Sequence, residues 1–221
     1  MHGEPLAMFP LAAVVFPSTE LPLHVFERRY QCLTRDVLLG SKEFGICLIS
    51  RGSEVGGGDE RVSVGTKVRV ELAAPLDDDR WILVTRGVER VVVTEWLDDD
   101  PYPRALVEPM PVDDPVVAHE AVIETLDAVK ALRRLHAEFS DGWTSSCVSL
   151  RPEEPASVAP WVLCAMSPLS LSDHQALLEV PDHWSRLELL RLLCDAKRRD
   201  LEAVLRLDGA ADGGSTPDCL A

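Results

Sequence analysis

The chain contains 221 residues, of which 46% are hydrophobic and 27% are charged, a composition that suits a soluble protein with a real core and excludes a mostly disordered chain. The formal net charge of −15 at pH 7 argues against a protein whose whole surface binds nucleic acid, because phosphate binding needs clustered Lys and Arg. No run of about 18 apolar residues occurs, so the sequence predicts no transmembrane helix and no membrane partner.

The apolar run at residues 6–16 has the length of a signal peptide. The residues before a signal peptide's apolar run are usually basic, but here the run is preceded by Glu4 and by no Lys or Arg. Pro10 also interrupts the run. We therefore interpret this run as a buried first strand and not as an export signal, and we expect a cytoplasmic protein.

Short β-rich runs separated by turn residues fill the chain up to about residue 111. The predicted strands lie at 11–16, 21–25, 44–49, 64–72, 81–84, 88–93 and 104–107, with Gly87 between the fifth and sixth of them. One helix is predicted at 27–39, because Tyr30, Leu33 and Val37 recur at spacings of three and four. Six or seven short strands with tight turns predict a closed or nearly closed barrel.

Apolar residues recur at helical spacing through the second half. Four helix caps are predicted, at Asp114, Ser157, Ser172 and Asp182. Pro115 follows the first cap at the first helical position, and Ser172 forms an S-x-x-Q capping box with Gln175. The sequence thus predicts an α+β protein with a β-barrel of about six strands plus one helix over residues 1–111. A helical subdomain follows over 112–208, and the small polar residues of 209–221 predict a disordered tail.

Motifs of common catalytic and cofactor sites are missing from the sequence. Gly65-Thr66-Lys67 resembles part of a phosphate loop, but the Lys follows Thr and the segment lies in a predicted strand. The six cysteines form no C-x-x-C pair, and no G-x-S-x-G is present. The acidic residues come in runs that usually sit on solvated turns. We therefore expect no catalytic residue, no cofactor and no metal.

Two features of the helical half point to binding. Trp143 lies in a polar loop, where an exposed Trp is a plausible anchor for a partner, although folding back onto the helices is the more common outcome. Lys197, Arg198 and Arg199 form a cation cluster in the last predicted helix. Six Lys/Arg between residues 186 and 206 oppose four Asp/Glu, a balance too even for a phosphate groove.

A series of short segments in the first half occurs in a specific order and spacing. The segments are Phe9-Pro10-Leu11, Val14-Val15-Phe16-Pro17, Leu21-Pro22-Leu23-His24-Val25-Phe26-Glu27, Arg29-Tyr30, Phe44-Gly45-Ile46, Gly52-Ser53-Glu54-Val55-Gly56, Val64-Gly65-Thr66, Trp81 with Gly87, Arg90-Val91 and Pro101-Tyr102. Together they resemble the LON substrate-binding domain, which is found at the N-terminus of the ATP-dependent protease La. The resemblance covers roughly residues 6–110, and the helical part is similar to the extension in stand-alone bacterial members.

Local departures from the family pattern are few. Ser18 stands where the family commonly has Gly, Arg28 where it often has Pro, and Asp79 where a turn Gly is usual. None of these changes conflicts with the fold, but each is expected to alter the shape of a loop.

The resemblance implies a PUA-like β-barrel followed by a helical bundle, and a non-catalytic module that binds polypeptides. The ATPase and Ser-Lys peptidase modules of the protease have no counterpart in this chain, so an adaptor role in protein quality control is expected. Expected partners are unfolded or tagged polypeptides and a protease or chaperone in trans, but no nucleic acid. Trp143 and Glu54 are the predicted polypeptide contacts, and the junction between barrel and helices is the expected groove. Two alternatives stay open, an RNA-binding PUA-like module and an enzyme with an unrecognised pocket.

Overall fold

The computed structural model describes residues 5–51, 60–113, 116–139 and 157–212. As predicted, a strand-rich half is followed by a helical half. The strands are β1 (Leu6–Leu11), β2 (Glu20–Val25), β3 (Glu43–Arg51), β4 (Glu60–Pro75), β5 (Trp81–Trp96) and β6 (Arg104–Pro109). The helices are α1 (Arg28–Leu39), α2 (His119–Phe139), α3 (Ala159–Met166), α4 (Leu171–Glu179) and α5 (His183–Asp212). A short 3-10 turn, Asp77–Asp79, connects β4 to β5.

The six strands form one mixed sheet in the order β2-β5-β4-β3-β1-β6. Strands β1 and β3 are parallel, and the other pairs are antiparallel. Strand β6 pairs with both β1 and β5, so the pairing runs from β5 through β4, β3, β1 and β6 back to β5. The contact between β1 and β6 is short, and β2 lies outside this ring, paired with the N-terminal part of β5.

Two main hydrophobic cores fill the molecule. The sheet and α1 enclose the first, whose largest buried members are Phe9, Tyr30, Leu33, Phe44, Ile46 and Leu83. The helical half encloses the second, whose members include Val129, Leu132, Trp161, Leu163, Leu177, Leu187 and Leu190. Phe16, from the segment between β1 and β2, is buried in the second core and not in the first. The segment 12–16 therefore ties the sheet to the helices.

The predicted strand at 11–16 is wrong, because β1 ends at Leu11 and residues 12–16 have no regular structure. The Val15 carbonyl accepts a hydrogen bond from the Thr66 hydroxyl at 2.5 Å. The Phe16 ring lies 6.1 Å from the Trp161 ring, centroid to centroid. The apolar character of this segment thus reflects burial between two layers and not a place in the sheet.

The sequence predicts two strands separated by Gly87, and this prediction is wrong. Gly87 lies inside the continuous strand β5. A Cβ atom at this position would lie 2.2 Å from the Phe16 carbonyl oxygen. The Gly87 N–H donates to Thr19 O at 2.9 Å, and its carbonyl accepts from Ser18 N–H at 2.8 Å. Glycine is needed here because the 12–19 segment approaches the strand backbone directly.

The starts of α2 and α3 differ from the predicted ones. Helix α2 begins at His119, since residues 116–118 lie outside it, whereas the predicted cap Asp114 and its neighbour Pro115 fall outside the described residues. Helix α3 has Val158 as its N-cap and not Ser157, and no side chain caps it. Pro160 lies in the first turn of α3, as the sequence predicts, where its missing N–H leaves no helical bond unmade.

The capping box of α4 consists of Ser170 and Asp173, two residues before the predicted pair Ser172 and Gln175. Gln175 is occupied elsewhere, because its side-chain amide donates to Val64 O of β4 at 3.0 Å. The predicted cap at Asp182 is confirmed by the bond from Ser185 N–H to its carboxylate at 2.8 Å. Helix α5 continues to Asp212, beyond residue 208, and residues 213–221 lie outside the described part of the chain.

Substituting Gly87→Ala tests the close approach of the 12–19 segment to β5. The new methyl group overlaps a backbone carbonyl, so we expect the free energy of unfolding to fall by about 2–3 kcal/mol. Urea denaturation measures this change. Gly40→Ala is the matched control, because a Cβ there meets its nearest atom at 3.5 Å, an ordinary contact. Equal stability of the two variants would contradict the role assigned to Gly87.

Candidate functional site

Strand β2 has one side paired with β5 and one side free of any other described strand. The carbonyl of Leu21 points toward β5, because it accepts from the Thr85 hydroxyl at 3.0 Å. Hydrogen-bonding direction alternates along a strand, so Glu20, Pro22 and His24 direct their backbone groups away from the sheet. Pro22, which lacks an N–H, fits this outward position and costs no bond to β5.

A small pocket opens beside this free edge, between β1, β2 and the start of α1. Its lining residues are Phe9, Leu11, Leu23, His24, Val25, Phe26, Glu27 and Tyr30. The Phe9 and Tyr30 rings stack at 3.8 Å between centroids, with 9° between their planes, and form one apolar wall. The pocket volume is about 70 Å³. Clefts for whole small molecules are about 300–1,000 Å³, so this pocket has room only for one apolar side chain.

Phe26 is the exposed aromatic residue of this site, with 57% of its surface accessible. Its carbonyl accepts from the Gln31 side-chain amide at 3.1 Å, which fixes the backbone while the ring stays in solvent. The Phe26 ring lies 5.9 Å from the His24 ring. The two rings form an exposed aromatic pair next to the free edge of β2.

The charged groups at the rim of the pocket are paired with each other. The Arg29 guanidinium lies 3.2 Å from the Glu27 carboxylate and 4.5 Å from the centre of the Tyr30 ring. Arg86 pairs with Glu20 at 3.3 Å on the adjoining part of the sheet. The site therefore presents apolar surface and backbone groups, and two of its arginines are neutralised by carboxylates.

The residues predicted to bind polypeptide, Trp143 and Glu54, lie outside the described residues, and both remain predictions. Sequence reasoning places the segment 21–25 in a strand but misses its edge position, which depends on the strand order. Pro22 is the signal that points to an edge, because a proline inside a strand is confined to edges or bulges.

A cluster of buried polar side chains occupies the junction where the sequence analysis expects a groove. We define the junction cluster as Arg90 of β5, Trp161 of α3, and His183 and Arg186 of α5. All four are at most 4% exposed. The Arg186 guanidinium lies over the Trp161 ring at 3.8 Å, and the His183 ring meets the same indole edge-on at 5.0 Å. This part of the junction is filled.

The two arginines bond to backbone carbonyls on both sides of the junction. Arg90 donates to Leu178 O at 2.8 Å, Val180 O at 2.7 Å, Pro111 O at 2.7 Å and Pro181 O at 3.3 Å. Arg186 donates to Leu177 O at 2.9 Å and also to Val180 O. Burial is the main cause that lowers the pKa of Arg90, and it lowers the pKa of Arg186 to about 10. Both side chains stay charged at neutral pH and hold the 177–181 segment against the sheet.

A Ser-His contact between α3 and α4 has the residue types of a nucleophile and its base. The Ser167 hydroxyl lies 3.2 Å from His174 Nε2. However, Ser167 is only 4% exposed, and its hydroxyl donates to Cys164 O at 2.7 Å. Burial lowers the pKa of His174. This pair fixes the α3–α4 connection and presents no reactive hydroxyl to a substrate.

The part of the chain that the structure describes contains no cluster of three metal-ligating side chains. None of its helices combines the length and apolar character needed to cross a bilayer.

Comparison with known proteins gives one consistent result. Residues 5–195 match the family model described as the ATP-dependent protease La (LON) substrate-binding domain. The chain is 28% identical to the Lon protease of Anaeromyxobacter dehalogenans, over 94% of this chain and 25% of that protein. It thus spans about a quarter of the length of such curated relatives.

Two solved structures share the fold. The Lon N-terminal domain protein from Xanthomonas campestris is 28% identical with a TM-score of 0.58, covering 84% of this chain and 96% of that one. The N-terminal domain of the Mycobacterium avium complex Lon protease has a TM-score of 0.56 at 17% identity, covering 87% and 98% of the two chains, a likeness of fold alone.

Replacing Arg90 by Lys tests the carbonyl bonds of the junction. Lysine keeps the positive charge, but its single ammonium group does not reach all the carbonyls that the Arg90 guanidinium bonds. Some of these buried carbonyls therefore lose their hydrogen-bond donor. We expect the free energy of unfolding to fall by about 3 kcal/mol in urea denaturation. Arg86→Lys is the control, since its side chain is 42% exposed and its ion pair with Glu20 lies at the surface. An Arg90→Lys protein as stable as this control would refute the assignment.

Proposed function

Because the chain belongs to the ATP-dependent protease La (LON) substrate-binding domain family, we propose that it is a non-catalytic module that binds polypeptides. The family match covers residues 5–195, which include the sheet and most of the helical half. The relatives named as Lon proteases are about four times as long as the matched region, so their catalytic activity is not carried over to this chain. The proposed role is recognition of a substrate without its cleavage.

The proposed binding surface is the free edge of β2 together with the adjoining pocket. The observation that carries this proposal is the exposed Phe26 beside an edge strand whose outward backbone groups have no strand partner among the described residues. An extended polypeptide adds to such an edge by main-chain hydrogen bonds, while alternate side chains enter pockets. Pro22 offers only a carbonyl, so the pairing depends on Glu20 and His24. A pocket of this size selects one apolar side chain of the incoming segment.

This mode of binding favours unfolded polypeptides as partners. Folded proteins bury most of their large apolar side chains and already pair most of their backbone groups, whereas an unfolded chain offers both for binding. We propose an adaptor in protein quality control that presents unfolded or tagged polypeptides to a protease or chaperone in trans, within the cytoplasm. RNA is the alternative ligand, and the paired charges at the β2 edge do not favour it.

The variant Phe26→Ala tests the surface. Removing an exposed ring that anchors the bound segment is expected to raise the dissociation constant for labelled casein about tenfold. Fluorescence anisotropy measures the binding, with a labelled RNA titrated in parallel. The urea midpoint is expected to change little, because the ring is mostly in solvent.

Leu39→Ala is the matched control, since this leucine at the end of α1 is 89% exposed and does not line the pocket. It is expected to bind casein like the unmodified protein. Equal affinity of the Phe26 and Leu39 variants would place the binding surface elsewhere. Saturable binding of RNA with no binding of casein would replace the proposed function by the alternative.

A further inference from the structure

His183 is the one member of the junction cluster whose side chain ordinarily gains or loses a proton between neutral and mildly acidic pH. It is 1% exposed and lies at the start of α5. Its Nδ1 is 2.7 Å from Nη1 of Arg186. Because an arginine N–H is always a donor, Nδ1 must accept this bond with its lone pair. The proton of the neutral ring is therefore on the other nitrogen, Nε2.

A second proton on this ring has only one place to go, the nitrogen that faces Arg186. An Nδ1–H group would point at the guanidinium N–H, so two donors and two positive charges would meet across one short contact. Either His183 or Arg186 must then move. Movement of Arg186 breaks its bonds to Leu177 O and Val180 O, which hold the 177–181 segment.

The groups that face His183 come from several elements. On α5 it faces Arg186, and from β5 it faces Arg90. From α3 come the Trp161 ring and the buried Cys164 thiol, which lies close to Arg186. Asp182 is the nearby carboxylate, but it caps the Ser185 amide at the surface. A proton added to His183 would therefore place a third positive charge beside two buried cations.

We propose that His183 is an acid-sensitive contact, whose protonation pushes Arg186 away and loosens the helical half from the sheet. Arg186 and Arg90 share the carbonyl of Val180, so displacement of one disturbs the other. Both arginines act on the same 177–181 segment, which therefore opens before the sheet itself. The sheet core around Phe44 and Leu33 has no part in these contacts.

The direction of the pH dependence follows from the neutral state of His183 in the folded protein. Burial, followed by Arg186 and Arg90, lowers the pKa of His183 to about 4 from its ordinary 6.5. The unfolded chain takes up the proton first as the pH falls. This contribution to stability is complete above pH 6.5 and is lost as the pH falls from 6.5 toward 4.

The experiment compares the unmodified protein with His183→Asn, in which the amide oxygen replaces Nδ1 as acceptor but takes up no proton. Between about pH 7 and about pH 4.5, the unfolding equilibrium constant of the unmodified protein is expected to rise on the order of 100-fold more than that of the variant. Hydrogen exchange, corrected for the intrinsic rate at each pH, is expected to show loss of protection in residues 157–190 before residues 43–51.

His119→Asn is the control, because His119 is exposed at the start of α2. It is expected to keep the full acid response. If His183→Asn does not fold, the His183 ring of the unmodified protein is titrated by NMR instead. Protonation of the ring near pH 6.5 with no local loss of protection would overturn the proposal. Equal acid responses of the two variants, or simultaneous loss of protection in the helices and in β3, would also overturn it.

Discussion

Two buried guanidinium groups hold the two halves of this protein together. Arg90 reaches from β5 to the end of α4, to the segment that follows it and to the segment after β6. Arg186 reaches the end of α4 and the same following segment from α5. Backbone carbonyls and the face of Trp161 receive both groups. The residues around this contact have no freedom to form a groove there. For this reason we place the proposed binding surface away from this contact.

The strand order leaves one exposed edge, which is the surface that we propose for binding. Five strands pair in a ring through β6, and the sixth, β2, is left with one free side. The same segment continues into Phe26 and α1, which places an aromatic pair and an apolar pocket next to unpaired backbone groups. Edge strands usually carry protection against unwanted pairing, and Pro22 supplies it here by removing one donor. Recognition then depends on a side chain entering the pocket as well as on the backbone.

Much of the fold could be predicted from the sequence, because the alternating and helical patterns reflect local burial. The boundary between strands and helices, α1 and the Asp182 cap are predicted this way. Gly87 could not be assigned from its neighbours, since the contact that requires it comes from Phe16, 71 residues away in sequence. The β2 site was missed for a similar reason: a strand's position at an edge depends on long-range pairing. Arg90 belongs to a segment that resembles the family, but its buried role could not be predicted, because an arginine in a strand usually indicates solvent exposure.

NMR mapping shows whether a polypeptide binds along the free edge of β2. The protein is titrated with an unlabelled unfolded polypeptide, and the backbone amide shifts are followed residue by residue. We predict the largest shifts in Glu20–Val25, Phe26 and the first turn of α1, with little change in α2 and α5. Shifts confined to the helical half, or binding without any change along β2, would show that the edge of β2 is not the binding surface.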